Sequence, residues 1–140
     1  LAIQFQILPD LHLIYVRYSG VVTAVETLAA MQDCARHPQF NPAFRNLVDF
    51  SRATSFVVDY PEIMRVQAVA AGLLVPKDRP PHLVYFAPTA ESQRVAQLVL
   101  RSWEGVTPMV GVILAEREQV LAVLGLAGSS LDSLLESATP

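Results

Sequence analysis

The sequence predicts an α/β fold: a single-layer mixed sheet, opened by an antiparallel hairpin and continued by parallel strands, with helices packed on it. Three observations carry this. Two strand-like segments, 2–8 and 11–18, are joined by the turn pair Pro9-Asp10. After Gly20, helical and strand patterns alternate, which is the order that builds parallel units. Finally, 140 residues that are 52% hydrophobic and 16% charged suffice for one core without disulfides or metals.

Residues 2–8 put Ile3, Phe5 and Ile7 on one face and Gln4 and Gln6 on the other, the period-2 pattern of a half-buried strand. Residues 11–18 are rich in β-branched and aromatic types and form the return strand, which Gly20 ends. Thr23-Ala-Val-Glu26 is a capping box, and Val25, Leu28, Ala29, Gln32 and Ala35 follow at helical spacing until Pro38. Asn46 to Phe50 reads as a short third strand. Pro61 sits in the first turn of a second helix, which runs to about Val75 and stops before a Pro-rich segment, 76–81.

His82 to Ala87 is the fourth strand. Thr89 caps a third helix, with Val95, Leu98, Val99 and Ser102 as its inner stripe and Gly105 as its stop. Met109 to Leu114 is the fifth strand, and Glu116 to Leu124 a last helix closed by Gly125. The element order is ββαβαβαβα. The domain spans 1–125, and 126–140 is expected to be a mobile tail with one weak helical turn around Leu131–Leu135.

Composition removes several classes of function. A net charge of −3 gives no general attraction to nucleic acid or anionic lipid. The longest apolar run, Ala68 to Val75, is far below the ~20 residues of a membrane span, so no integral membrane protein is expected. The N-terminus lacks the basic start of a signal peptide. A single cysteine, Cys34, suits a reducing compartment, so the expected location is cytoplasmic.

Candidate chemistry is sparse. Asp49 and Ser51 lie at the C-terminal end of a predicted parallel strand, with Thr54 and Ser55 just beyond, at the sheet edge where ligands of open α/β folds gather. They form a polar crevice, or else they bond their own backbone in the loop. His12, His37 and His82 lack metal-ligand spacing. Cys34 lies in mid-helix beside Asp33, whose charge disfavours a thiolate. No Gly-x-Ser-x-Gly, P-loop or Gly-x-Gly-x-x-Gly motif occurs, so no enzyme and no cofactor is expected. Arg36, Arg45 and Arg52 form an anion patch or a solvated face. Trp103 and Tyr60 are the candidate exposed aromatic anchors, with Trp103 alternatively closing the core.

The hairpin, Gly20-Val-Val-Thr23, Asn41-Pro42 and above all Leu47-Val-Asp-Phe-Ser51 together resemble the SpoIIAA-like superfamily. That group comprises the STAS domains of anti-sigma-factor antagonists and small bacterial proteins of unassigned function. The resemblance implies a non-catalytic regulatory module that binds a protein partner or itself. Its regulatory members carry a phosphorylatable Ser at the start of the helix after the third strand. The matching window here, Val57-Val-Asp-Tyr60, has no Ser or Thr and places Asp59 at that position, beside Tyr60. The structural cousins of the superfamily, Sec14-type lipid-binding proteins, imply the alternative of a carrier for a small apolar ligand or lipid.

The second helix raises one more expectation. Ile63, Val66, Ala70 and Leu73 make its inner stripe, which leaves Val69, Leu74 and Val75 facing outward with small residues such as Gly72 beside them. Such a surface predicts a two-fold homodimer with this helix near the interface.

Overall fold

The structure, a computed structural model, describes residues 2–76, 78–104 and 107–137. Its elements are β1 (Ile3–Leu8), a 3-10 turn (Pro9–Leu11), β2 (Leu13–Thr23), α1 (Ala24–Arg36), β3 (Arg45–Val57), α2 (Tyr60–Leu73), β4 (His82–Phe86), α3 (Ala90–Ser102), β5 (Val110–Leu114), α4 (Arg117–Leu124) and α5 (Leu131–Ser137). The five strands form one sheet in the order β1-β2-β3-β4-β5. β1 pairs antiparallel with β2, and the remaining pairs are parallel. The predicted mixed sheet is therefore present.

Strand alternation divides the core in two. Leu13, Tyr15, Leu47, Val84 and Phe86 point to one face and pack with Val120, Leu121 and Leu124 of α4. Tyr18, Val22, Phe50 and Tyr85 point to the other, against Val95 and Ala96 of α3. Ile7 and Ile14 meet Cys34 of α1 on that second face. Helices α1, α2 and α3 lie side by side there, α1 against α2 and α2 against α3.

The helix starts follow their local signals. Thr23 Oγ1 accepts from the Glu26 N–H at 3.3 Å and Thr89 Oγ1 from the Ser92 N–H at 3.1 Å, each relieving one unpaired donor of a first turn. Gly125 ends α4 at φ +75, a left-handed conformation that a side chain disfavours. Gly105, the expected stop of α3, lies outside the described residues.

The expectations need correction at four places. β2 does not end at Gly20 but passes through it, at φ +69, to Thr23. β3 is not a short strand over 46–50; it runs thirteen residues, to Val57. Its register against β2 slips by one residue after Asp49 and again after Ala53. Each extra residue is a bulge that bends the strand and shifts the alternation. Phe50, Ala53 and Phe56 consequently reach the same core at a spacing of three, with the Phe50 and Phe56 rings 5.0 Å apart. A search for period two loses the strand at that point.

In α2 the buried side is Ile63, Gln67 and Ala70, while Leu73 is 38% exposed. A polar residue occupies the inner stripe because its amide is fully used: Gln67 Nε2 donates to the Val99 carbonyl oxygen at 3.0 Å and to Ser102 Oγ at 2.6 Å. Finally, the helical turn expected around Leu131–Leu135 is longer, the seven-residue α5 over Leu131–Ser137. Leu131 is 3% exposed and joins the core beneath α4.

Candidate functional site

The sequence singles out Asp49, and the structure places it in mid-strand rather than at a strand end, with its side chain wholly buried. A buried carboxylate is costly unless its oxygens are paired. Here the register sets Arg17 of β2 directly opposite. Asp49 Oδ2 accepts from Tyr15 Oη at 2.5 Å and from Arg17 Nε at 3.2 Å, and Oδ1 from the Ser51 N–H at 2.8 Å. Arg17 Nη2 also donates to Tyr15 Oη at 2.9 Å. Its Nη1 reaches Asp132 Oδ1 of α5 at 2.8 Å, which Arg52 approaches from outside at 3.1 Å.

The electrostatics follow from this geometry. Burial, with the Asp49 charge behind it, pushes the Tyr15 hydroxyl far above its ordinary range. Burial works against the Arg17 charge, but its bond to Asp132 and the neighbouring Tyr15 and Asp49 outweigh that, and its affinity for its proton rises. The bond from Arg17 holds the Asp132 carboxyl below its usual value. Both oxygens of Asp49 are engaged and the side chain is wholly buried. The cluster is a fastening between two strands and α5.

Arg17, Tyr15 and Asp132 were not candidates in the sequence. One signal was available: Arg17 follows Leu13 and Tyr15 at period two, on the inward side of a strand. The other predicted polar residues spread out. Ser51 and Ser55 are half-buried and Thr54 is exposed, further along the bulged part of β3. The three arginines also separate: Arg36 pairs with Asp33, Arg45 donates to the carbonyls of Leu124 and Leu11, and Arg52 pairs with Asp132.

At the start of α2, Asp59 is the N-cap. Its Oδ1 accepts from the Glu62 N–H at 2.9 Å, and Glu62 Oε1 accepts from the Asp59 N–H at 3.1 Å. This reciprocal box closes the helix start with a fixed negative charge. Tyr60 is 53% exposed there, whereas Trp103 is 5% exposed and closes the core. Val21, Val25 and Val57 are exposed at the same end, where Thr23 and Val57 are register partners.

The second face of the sheet holds a cavity of about 160 Å³ beneath α1, α2 and α3. Val16, Leu83 and Tyr85 form its floor, and Met31, Val66 and Ala70 are part of its roof. Leu74 and Val75, expected to face outward, belong to its wall, while Val69 is half-buried and Gly72 is exposed. Cys34 also lines it, and burial pushes its thiol up to about 11, which suppresses the thiolate at neutral pH. His12 stacks on Phe44 and His37 sits edge-on to Phe5. Among the described residues no three His, Cys, Asp or Glu side chains converge as a metal site. Nor is any helix among them long and apolar enough to cross a membrane.

A mixed five-stranded sheet with an opening hairpin and helices on its faces defines a SpoIIAA-like fold. The chain is similar in structure to an uncharacterized protein of the DUF3478 family with a SpoIIAA-like fold from Shewanella loihica PV-4. That match has a TM-score of 0.54 at 13% identity and covers 88% of this chain and 92% of the other. It also resembles the anti-sigma factor antagonist SpoIIAA in its unphosphorylated form, with a TM-score of 0.47, 12% identity, and coverage of 89% and 99%. No protein-family model matches the chain, and no curated protein matches it in sequence.

Proposed function

We propose that this chain is a non-catalytic interaction module that docks a protein partner, or a second copy of itself, on the apolar end of its sheet. The observation that carries the reading is the exposure of Val21, Val25, Val57 and Tyr60, at 48, 77, 61 and 53%, where β2 and β3 pass into α1 and α2. Single exposed apolar side chains are ordinary, but several at one end of a domain mark a contact surface. Tyr60 supplies an aromatic anchor, and Ser51, Thr54 and Ser55 a polar flank on β3. Asp59 keeps a permanent negative charge beside the anchor, so docking proceeds without a phosphorylation step at that position. A lone buried cysteine fits work in the reducing cytoplasm.

A photo-crosslinking residue at position 60, in cells expressing the chain, tests the reading. A discrete adduct weakened at least tenfold by Val57→Glu supports it. No adduct, or one indifferent to that change, overturns it. Where the adduct is the homodimer, light scattering at micromolar concentration should find a dimer that the same Val57→Glu change returns to monomer.

One observation, the cavity beneath α1–α3, favours a second reading: a carrier for a small apolar ligand.

A further inference from the structure

We infer that the cavity between the sheet and α1–α3 binds a small neutral molecule the size of a single ring, with an apolar body and one hydroxyl group. The inference rests on the small-ligand reading and adds the size and polarity of the ligand. Size follows from volume. About 160 Å³ is close to the ~150 Å³ of a cavity that holds benzene and well below the ~300 Å³ at which sites for drug-sized ligands begin. A lipid does not fit inside. Neutrality follows from the wall, whose described residues include no Asp, Glu, Lys, Arg or His. A carboxylate or ammonium entering it would lose its hydration and gain no partner.

The hydroxyl follows from two polar side chains on that wall, Gln67 and Tyr85. Gln67 is 5% exposed, and its amide nitrogen is bonded to the Val99 carbonyl oxygen and to Ser102 Oγ. A carbonyl oxygen only accepts, so the Gln67 atom facing it is the nitrogen, and both of its hydrogens are committed. Oε1 is left with no donor among the described residues. Tyr85 is 4% exposed, and its hydroxyl likewise has no hydrogen-bond partner among them. Neither atom is sealed away, since among the described residues no fully buried side-chain polar atom lacks a partner. Burial, with Tyr18 nearby, pushes the Tyr85 hydroxyl far up, so it is protonated and free to donate. A ligand hydroxyl both donates and accepts, and either wall atom satisfies it.

The test is a titration of the full chain with phenol, fluorobenzene or benzoate, read on the ¹³C-methyl signals of Val66, Ala70 and Met31. Fluorobenzene matches phenol in size but lacks the donor. Phenol and fluorobenzene should both shift these signals, with phenol binding about tenfold tighter, the worth of one neutral hydrogen bond. Benzoate should leave them unmoved. The phenol preference should fall to about twofold or less when Gln67→Met is combined with Tyr85→Phe, which keeps the ring and its packing. Equal affinity for phenol and fluorobenzene, or a preference unchanged in the double variant, overturns the hydroxyl anchor and leaves the small-ligand reading standing. Silence from all three probes overturns that reading itself. Should the double variant not fold, the wild-type ratio alone decides.

Discussion

The two faces of the sheet solve the same packing problem in opposite ways. Beneath α4 and α5, the layer of Leu13, Tyr15 and Leu47 is wholly buried, and a buried ion pair, Arg17 with Asp49, stands at its edge. Beneath α1–α3 the surface is almost entirely apolar, yet it leaves about 160 Å³ unfilled. Charge in the interior demands close geometry, because a buried carboxylate or guanidinium without partners costs several kcal/mol. Strands and helix are therefore drawn together until each polar atom is met. Apolar side chains make no such demand: a void among them costs only lost contacts and transfer energy, roughly 20–25 cal/mol per Å³. A space for a ligand is more easily kept on the apolar face.

That contrast predicts its own largest effect. Asp49→Ala strips Arg17 of its buried partner and should cost about 3–5 kcal/mol in urea melts, whereas Arg17→Met with Asp49→Leu should recover most of that loss. A single variant within 1 kcal/mol of wild type, on the scale of an exposed ion pair, would mean the pair is wetter than its geometry indicates.

Next come two neighbours on β2 that point to opposite faces. Leu13 is 0% and Ile14 2% exposed, so burial does not separate them. Leu13→Ala opens a new hole in a filled layer and should lie near the top of the ~2–5 kcal/mol range for such truncations. Ile14 lines the existing cavity and has fewer contacts to lose, so Ile14→Ala should lie near the bottom. Equal losses would show that the second face is as tightly filled as the first.

Smaller again is Thr23→Ala, which removes the cap of α1, part of the cavity roof, at about 1 kcal/mol. An unchanged urea midpoint would place the start of that helix elsewhere.

The smallest global effect belongs to Asp132→Asn, read by hydrogen exchange at the Leu134 amide, which is bonded to the Ser130 carbonyl oxygen. The folded Asp132 carboxyl is depressed by Arg17. Its stabilising effect is therefore complete above the unfolded value of ~3.9 and disappears as pH falls through the lower folded value. Wild-type α5 should lose protection in that acid window. The variant should be weakly protected throughout, with no step there.

How much was legible beforehand follows the same division. The opening hairpin, the capped starts of α1 and α3, the stop at Gly125 and the alternation of strand with helix are all legible in the sequence. Each rests on residues two to four positions apart, where backbone geometry and capping chemistry act without the rest of the chain. At the start of α2 the sequence places Asp59 and Pro61 correctly, and only the return bond from Glu62 goes unread. The candidate site was less legible. Asp49 stands out in the sequence as the end of a short strand, whereas β3 continues to Val57, because two bulges disguise its second half.

By itself, then, the sequence determined the order of elements, the hairpin and the fold class, since periodicity and caps are properties of short windows. Only the tertiary structure decided that Arg17 meets Asp49 across 32 residues, that Asp132 brings α5 onto them, and that Gln67 turns inward to Ser102. The cavity belongs to this second group as well. A void has no residue of its own; it is the difference between the space enclosed by three helices and a sheet and the side chains that fill it, and no single stretch of chain encodes that difference.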